Sequence, residues 1–391
     1  MEVINLRFAY PEGGGFRYAG GRVTARVTSL VRVHTDTPFV GIGAAYSHPD
    51  LVRTIIEGNL RDHLVGMDAS DIAGIWRKLY GLTRWYGRKG AALTAIGGID
   101  IALWDLRGKA AGQPVWRLLG GTTGEVEPYA SGLFWQDDTD ALREEAARHR
   151  RRGFRRVKMR LGRGWRYDTA AVEAALAGVG PDGWVHVDGS HRYEDATAVR
   201  MADWLAARRV AWFEEPFPPE DLDRYVALAA VSRVPVAAGE NEFGVQGFRE
   251  ILRARAVHIV QPDACRTGGI SEVLGVAAMA GDQDVRIAPH TWSDAVALTA
   301  NAHVVAALRH GFVVEVDQTG NLFVEELLTE PLDITDGVLR LSDRPGLGIE
   351  LDETTLARLR VPTDQTMVEG NYSDLVFGGR HYDEAPPYEP G

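Results

Sequence analysis

The sequence predicts a parallel (β/α) barrel, and three observations carry that reading. From about Val126 onward, short apolar strands alternate with amphipathic helices. Seven of the strands end in a titratable residue, at Lys158, Asp188, Glu214, Glu240, Asp263, His290 and Glu315, with intervals of 30, 26, 26, 23, 27 and 25 residues. Such an interval holds one strand, one loop, one helix and one loop, the repeating unit of a barrel. Counting Val126 to Leu133 as the first strand makes eight, enough to close.

The chain has 391 residues, 45% hydrophobic and 25% charged, which suits a soluble protein with one barrel and a smaller domain. No apolar run reaches the ~18 residues of a spanning helix. The opening MEVINLRFAY lacks the basic and apolar regions of a signal peptide, so the expected location is the cytoplasm, with no membrane partner. Cys265 is the single cysteine, which excludes an intrachain disulfide and a cysteine metal cluster. The net charge of −11 argues against nucleic acid. It does not argue against a small anionic substrate, because a bound metal and local cations set the potential inside a site.

Residues 1 to about 45 read as paired strands, with frequent β-branched residues from Val23 to Val33 and a second run at Phe39–Gly43 after a turn around Asp36–Pro38. Between the first strands, Pro11 to Gly21 holds five glycines in eleven residues and reads either as a plain hairpin connection or as a lid whose Arg17 and Tyr18 fold over a ligand. From Pro49 to Gly120 the pattern is helical, and the dense apolar run Ala91 to Gly108 is expected to be a helix buried between domains. Before it, Arg84-Trp85-Tyr86-Gly87-Arg88 mixes aromatic and basic residues at a turn, a surface feature or a substrate contact through Trp85. The tail from about Pro362 is rich in proline and acids and is expected to wrap over the rest of the chain or a neighbour.

Within the barrel, Asp188, Glu214 and Glu240 end three successive strands. Neighbouring strands lie about 4.8 Å apart, so the three carboxylates converge closely enough to share one ion, and they would repel without one. An all-oxygen set favours a hard cation, with Mg²⁺ ahead of Mn²⁺ or Ca²⁺. Lys158 and Arg160, two positions apart on one strand, face the same interior and offer two cations to a substrate carboxylate. Each polar residue alone has an ordinary explanation, such as an Asp capping a helix or a His satisfied in the core. His186, His258 and His303 belong to that class, and Glu215 and Glu220 read as solvated or capping charges. His191 is a loop residue or a further substrate contact. The run of seven polar strand ends on one rim is what the ordinary explanation does not cover.

These residues resemble the enolase superfamily, in its mandelate racemase subgroup. The resemblance rests on the buried helix Ile99-Asp100-Ile101-Ala102-Leu103-Trp104-Asp105, Lys158-Met159-Arg160, the three acids, Gln261-Pro262-Asp263, Pro289-His290 and Gly346-Leu347-Gly348-Ile349-Glu350. It implies a (β/α)7β barrel under an α+β cap built from both chain ends, with boundaries at 1–125, 126–345 and 346–391. It also implies a homo-oligomer, dimer or octamer, one Mg²⁺ per subunit, and abstraction of the proton α to a carboxylate. In the resembling family the second residue of the Lys158/Arg160 pair is often a lysine base. A guanidinium is a poor base near neutral pH but a good anion clamp.

That leaves His290 as the candidate base, with Asp263 fixing its tautomer and Glu315 placed beside Lys158 as a candidate hydrogen-bond donor to the developing enediolate. A 1,1-proton transfer needs bases on both faces of the α-carbon, whereas β-elimination needs one base and an acid for the leaving group. Dehydration of a sugar acid to a 2-keto-3-deoxy acid is therefore expected. Racemisation, epimerisation or cycloisomerisation of a sugar acid or its lactone is the alternative, and a silent sugar-acid-binding relative is the second.

Overall fold

The computed structural model describes residues 1–379 and 385–391. The chain opens with β1 (Glu2–Ala9), a short hairpin of β2 (Phe16–Tyr18) and β3 (Gly21–Val23), then β4 (Ala25–His34) and β5 (Val40–Ala45). β4 pairs antiparallel with both β1 and β5, in the order β1-β4-β5. The glycine-rich stretch is thus partly ordered as the β2–β3 hairpin, and Trp135 N donates to Arg17 O, docking it on the mouth of the barrel.

The expected buried helix runs from Ala91 to Ala111 and is shielded on nearly every side. Its neighbour β5 carries Gly41 and Gly43 for a steric reason. A Cβ on Gly43 would lie 2.0 Å from Gly98 O, and one on Gly41 would lie 2.1 Å from Ala102 O, so strand and helix backbones touch only because both side chains are absent. Asp105 fastens the same helix across the layers, accepting from Ile42 N at 2.9 Å and Leu347 N at 2.8 Å.

After β6 (Glu125–Val126) come eight parallel strands: β7 (Pro128–Ser131), β8 (Arg156–Arg160), β9 (Trp184–Asp188), β10 (Val210–Glu214), β11 (Val236–Ala238), β12 (Ile259–Val260), β13 (Arg286–Ile287) and β14 (Val314–Asp317). They form one sheet in the order β13-β12-β11-β10-β9-β8-β7-β14. The cycle closes through the residues just before β14, where Ile287 N donates to His310 O and Phe312 N to Ile287 O. The first strand is shorter than Val126 to Leu133. Val126 instead pairs antiparallel with Leu339 of a small separate sheet, and the chain enters the barrel only at Pro128.

Strand side chains alternate, so each strand sends every second residue inward. The inward columns have two levels. Below, Tyr129, Trp212, Ala237, Ile259, Ala288 and Val313 form a buried apolar plug, and His186 lies against Trp212 with ring centroids 3.7 Å apart. One step further along the same strands stand Asp188, Glu214 and Glu315. The plug gives the polar level a dry floor, as barrel interiors are filled in layers.

The C-terminal residues divide between two supports. Val361 N donates to Asn5 O beside β1, and Met367 and Tyr372 pack with Ala25 and Val27 of β4. Beyond the undescribed residues, Trp165 N donates to Glu389 O, and Tyr388 lies against Tyr193 with centroids 4.6 Å apart, on the barrel's outer helices.

Candidate active site

Every strand-end residue expected at the rim lies in one buried cluster. Lys158 Nζ is 2.7 Å from Glu214 Oε1 and 2.8 Å from Glu315 Oε1, and Arg160 Nη1 is 2.6 Å from Asp188 Oδ2. Both cations are held above their ordinary values: burial opposes their charge, but the surrounding carboxylates outweigh it. The Arg160 guanidinium also lies near two aromatic rings that touch each other, 5.3 Å from Phe134 and 5.4 Å from Trp292.

Donor oxygens of Asp188, Glu214 and Glu240 lie within 4.8 Å of one another. Their environments differ. Burial pushes Asp188 up to about 6 despite Arg160, and pushes Glu240 well above the carboxylate range. At Glu214 burial acts the same way, but Lys158 and Arg160 outweigh it and hold the group low. Glu240 Oε2 is buried with no hydrogen-bond partner among the described residues, an acceptor in need of a positive group. Three convergent carboxylates, one of them unsatisfied, fit a hard divalent cation.

Opposite this trio, His290 Nδ1 lies 2.8 Å from Asp263 Oδ2, and Nε2 lies 3.9 Å from Glu240 Oε2. Burial works against the imidazolium, yet Glu240 and Asp263 raise His290 to about 9. Glu315 Oε2 accepts from Thr291 N at 3.0 Å, and Lys158 and His290 hold the carboxyl low against burial, so Glu315 is an ionised acceptor in this arrangement.

Among the expected substrate contacts, Tyr18 is at the mouth, its hydroxyl 2.5 Å from Ser373 O. Arg17 is exposed, because adjacent strand residues face opposite ways. Trp85 is not brought to the cluster; it is 82% exposed, with its ring against the Arg84 guanidinium. His191 reaches the rim with Nε2 2.5 Å from Glu215 Oε2, which raises it to about 9 against the cost of burial. Glu215 is therefore not a solvated charge: it is 2% exposed and also accepts from Asn241 Nδ2 at 2.8 Å. Glu220 is exposed as expected.

Several neighbours have no signal in the strand rhythm. Asn301 donates to Asp263 Oδ1 at 2.9 Å, and Trp212 Nε1 donates to Glu214 Oε2 at 2.8 Å. Ser373 and Asp374 reach the pocket from the C-terminal segment, where Asp374 pairs with Arg266 at 3.1 Å. His303 and His258 are satisfied by backbone, accepting from Trp116 N and Val236 N.

A barrel carrying this buried carboxylate trio beside a histidine–aspartate pair defines a class, and the family comparison names it. Residues 11–120 match the mandelate racemase / muconate lactonizing enzyme N-terminal domain, and residues 141–355 match the enolase C-terminal domain-like family. The chain belongs to this enzyme family. It is 36% identical to D-galactarolactone cycloisomerase from Agrobacterium fabrum over 89% of this chain and 95% of that protein. It is 35% identical to arabinonate dehydratase from Saccharolobus solfataricus over 81% of this chain and 86% of that protein. Among solved structures, L-talarate dehydratase from Polaromonas sp. JS666, complexed with Mg and L-glucarate, superposes with a TM-score of 0.84 at 27% identity, covering 92% of this chain and 96% of that one. No helix among the described residues is long and apolar enough to cross a membrane.

Proposed function

We propose that this protein removes the proton α to the carboxylate of a sugar acid and expels the β-oxygen, acting as a Mg²⁺-dependent acid-sugar dehydratase. The observation that carries the reading is the asymmetry of the pocket. One face holds a histidine–aspartate pair at 2.8 Å, whereas the other holds Arg160 bound to Asp188, so the site has one base and not two.

Asp188, Glu214 and Glu240 would hold the cation, Mg²⁺ or Mn²⁺. When bound it supplies positive charge for the second negative charge that builds on the substrate carboxylate, and it offsets Glu240, the strongest influence keeping His290 protonated. Lys158 and Arg160 orient and balance that carboxylate. Glu315 fixes Lys158 and the Thr291 backbone. His290 Nε2 takes the α-proton while Nδ1–H stays on Asp263, then returns a proton to the departing β-hydroxyl, so that water leaves and the enol ketonises to a 2-keto-3-deoxy acid. Plug and lid keep bulk water from the carbanion, with Tyr18 on the lid side.

A second reading is supported by the cycloisomerases among the relatives. If the β-oxygen belongs to a lactone or anhydro ring, the same elimination opens the ring without loss of water, and the reaction is an isomerisation. A panel of open-chain sugar acids and their lactones, incubated with Mg²⁺-loaded protein and assayed for 2-keto acid, separates the two. Keto acid from open-chain acids supports dehydration. Keto acid from lactones alone replaces it with ring opening, and none from either class rejects both.

A further inference from the structure

The reacting end of the pocket leaves the far end unassigned, and that end has its own built set of polar groups. Arg266 is buried in the short helix Ala264–Thr267 that follows β12, with Nη1 3.1 Å from Asp374 Oδ2 and Nη2 3.0 Å from Asn241 Oδ1. Among the described residues its Nε has no partner, and neither does the buried hydroxyl of Tyr46, whose ring lies 5.7 Å from the guanidinium. A carboxylate oxygen of Asp374 lies within 4.8 Å of donor atoms of both Glu240 and His290, at the open edge of the reaction pocket, where the residue stays exposed.

Asp374 is not a loose tail residue. It follows Ser373, which holds a positive φ of 79°. Ser373 Oγ donates to Asp374 Oδ1 at 2.9 Å and accepts from Trp292 Nε1 at 2.9 Å, while Tyr18 anchors the Ser373 carbonyl. Lid, barrel and C-terminal segment therefore all fix this one carboxylate.

We infer that Arg266 and Asp374 are the recognition pair for the far end of the substrate, and that their mutual neutralisation selects acids carrying a single carboxylate. The inference rests on the sugar-acid reading above. Among the described residues, Arg26 and Arg160 are buried guanidiniums in the same region and are likewise engaged, 3.0 Å from Asp317 and 2.6 Å from Asp188. A second carboxylate arriving here would meet Asp374, while the nearby guanidiniums of Arg266 and Arg26, among the described residues, are each already paired with a carboxylate, and burying it unpaired is costly. Hydroxyls fit instead, because they donate to Asp374 and accept from Arg266 Nε and Tyr46. Aldonates and aldarate monolactones have one carboxylate and a hydroxylated far end; open aldarates have two carboxylates.

The test compares aldonates with aldarates of matching configuration on Mg²⁺-loaded protein, by turnover and by calorimetric binding, in wild type and Asp374→Asn. Wild type is expected to favour the aldonate by at least about tenfold, and Asp374→Asn, by freeing Arg266, to move the ratio about tenfold toward the aldarate. Should Asp374→Asn not fold, Asp374→Ser takes its place. Wild-type preference for the aldarate, or a ratio unmoved by the substitution, overturns the inference, as does absence of binding by either acid. Binding that follows the expected ratio without turnover keeps the recognition pair and rejects the dehydratase reading. Turnover with the aldarate preferred does the reverse.

Discussion

Asn301 and His290 hold the two oxygens of Asp263 between them: Asn301 Nδ2 is 2.9 Å from Oδ1 and His290 Nδ1 is 2.8 Å from Oδ2. Asn301 also donates to the His290 carbonyl at 3.2 Å, so one side chain on the helix Ala295–Ala307 orients both members of the pair. Removing such an outer partner costs about 10- to 100-fold in activity. Asn301→Ala is expected to lower kcat by that amount with KM little changed, and to move the acid-side pKa of the pH–rate profile, where the base must lose its proton. A loss confined to thermal stability, with an unmoved profile, would show a purely structural role.

The unsatisfied Glu240 oxygen predicts a stability effect of metal as well as an activity effect. Chelated protein should be inactive, recover with Mg²⁺ or Mn²⁺, and melt at a higher temperature as Mg²⁺ is added, because a ligand that binds only the folded state stabilises it. In Glu240→Gln the Mg²⁺-dependent rise in Tm should be much smaller. Full activity after thorough chelation contradicts the assignment.

His303 makes the folded state sensitive to acid. Burial lowers it from 6.5 to about 4, against the hydrogen bond to Leu347, so the unfolded chain binds more protons between those values. Its contribution is complete above pH 6.5 and is lost as pH falls toward 4, by on the order of 3 kcal/mol. Urea unfolding of wild type and His303→Gln across this range should give curves that converge at the acid end. Parallel curves would remove His303 as the cause.

The barrel and its polar strand ends were legible because strand alternation puts each polar end on the same inward column as the residue two places earlier, which is apolar for several of them, as Trp212 is for Glu214 and Val313 for Glu315. That local code carries no information about distant partners. Val126 reads as barrel strand by composition, yet its partner is Leu339, more than two hundred residues away. Asp374 and Arg266 lie in segments without periodicity and meet only when the C-terminal segment crosses the mouth. Glu215 looked like a solvated charge because it follows the strand end. Its positive φ of 31° instead turns the chain so that the side chain is buried against His191 and Asn241. Arg17 and Tyr18 are sequence neighbours, and a strand can present only one of two neighbours to the pocket: Tyr18 reaches Ser373 O while Arg17 is exposed.

As the proposed base, His290 is expected to be indispensable to chemistry and dispensable to assembly. His290→Asn should retain substrate and Mg²⁺ binding while kcat falls about 10²- to 10⁴-fold. The companion Arg160→Lys should weaken substrate binding and introduce slow exchange of the α-proton from the opposite face. Unimpaired turnover by the His290 variant would exclude it as the base.

Running the reaction in D₂O and locating deuterium by NMR distinguishes one-base β-elimination from two-base exchange. A dehydratase gives a 2-keto-3-deoxy product with deuterium at C3, because the enol is protonated from solvent-exchanged groups. Recovered substrate carrying deuterium at C2, with no keto acid formed, would contradict one-base elimination and show a racemase or epimerase in its place.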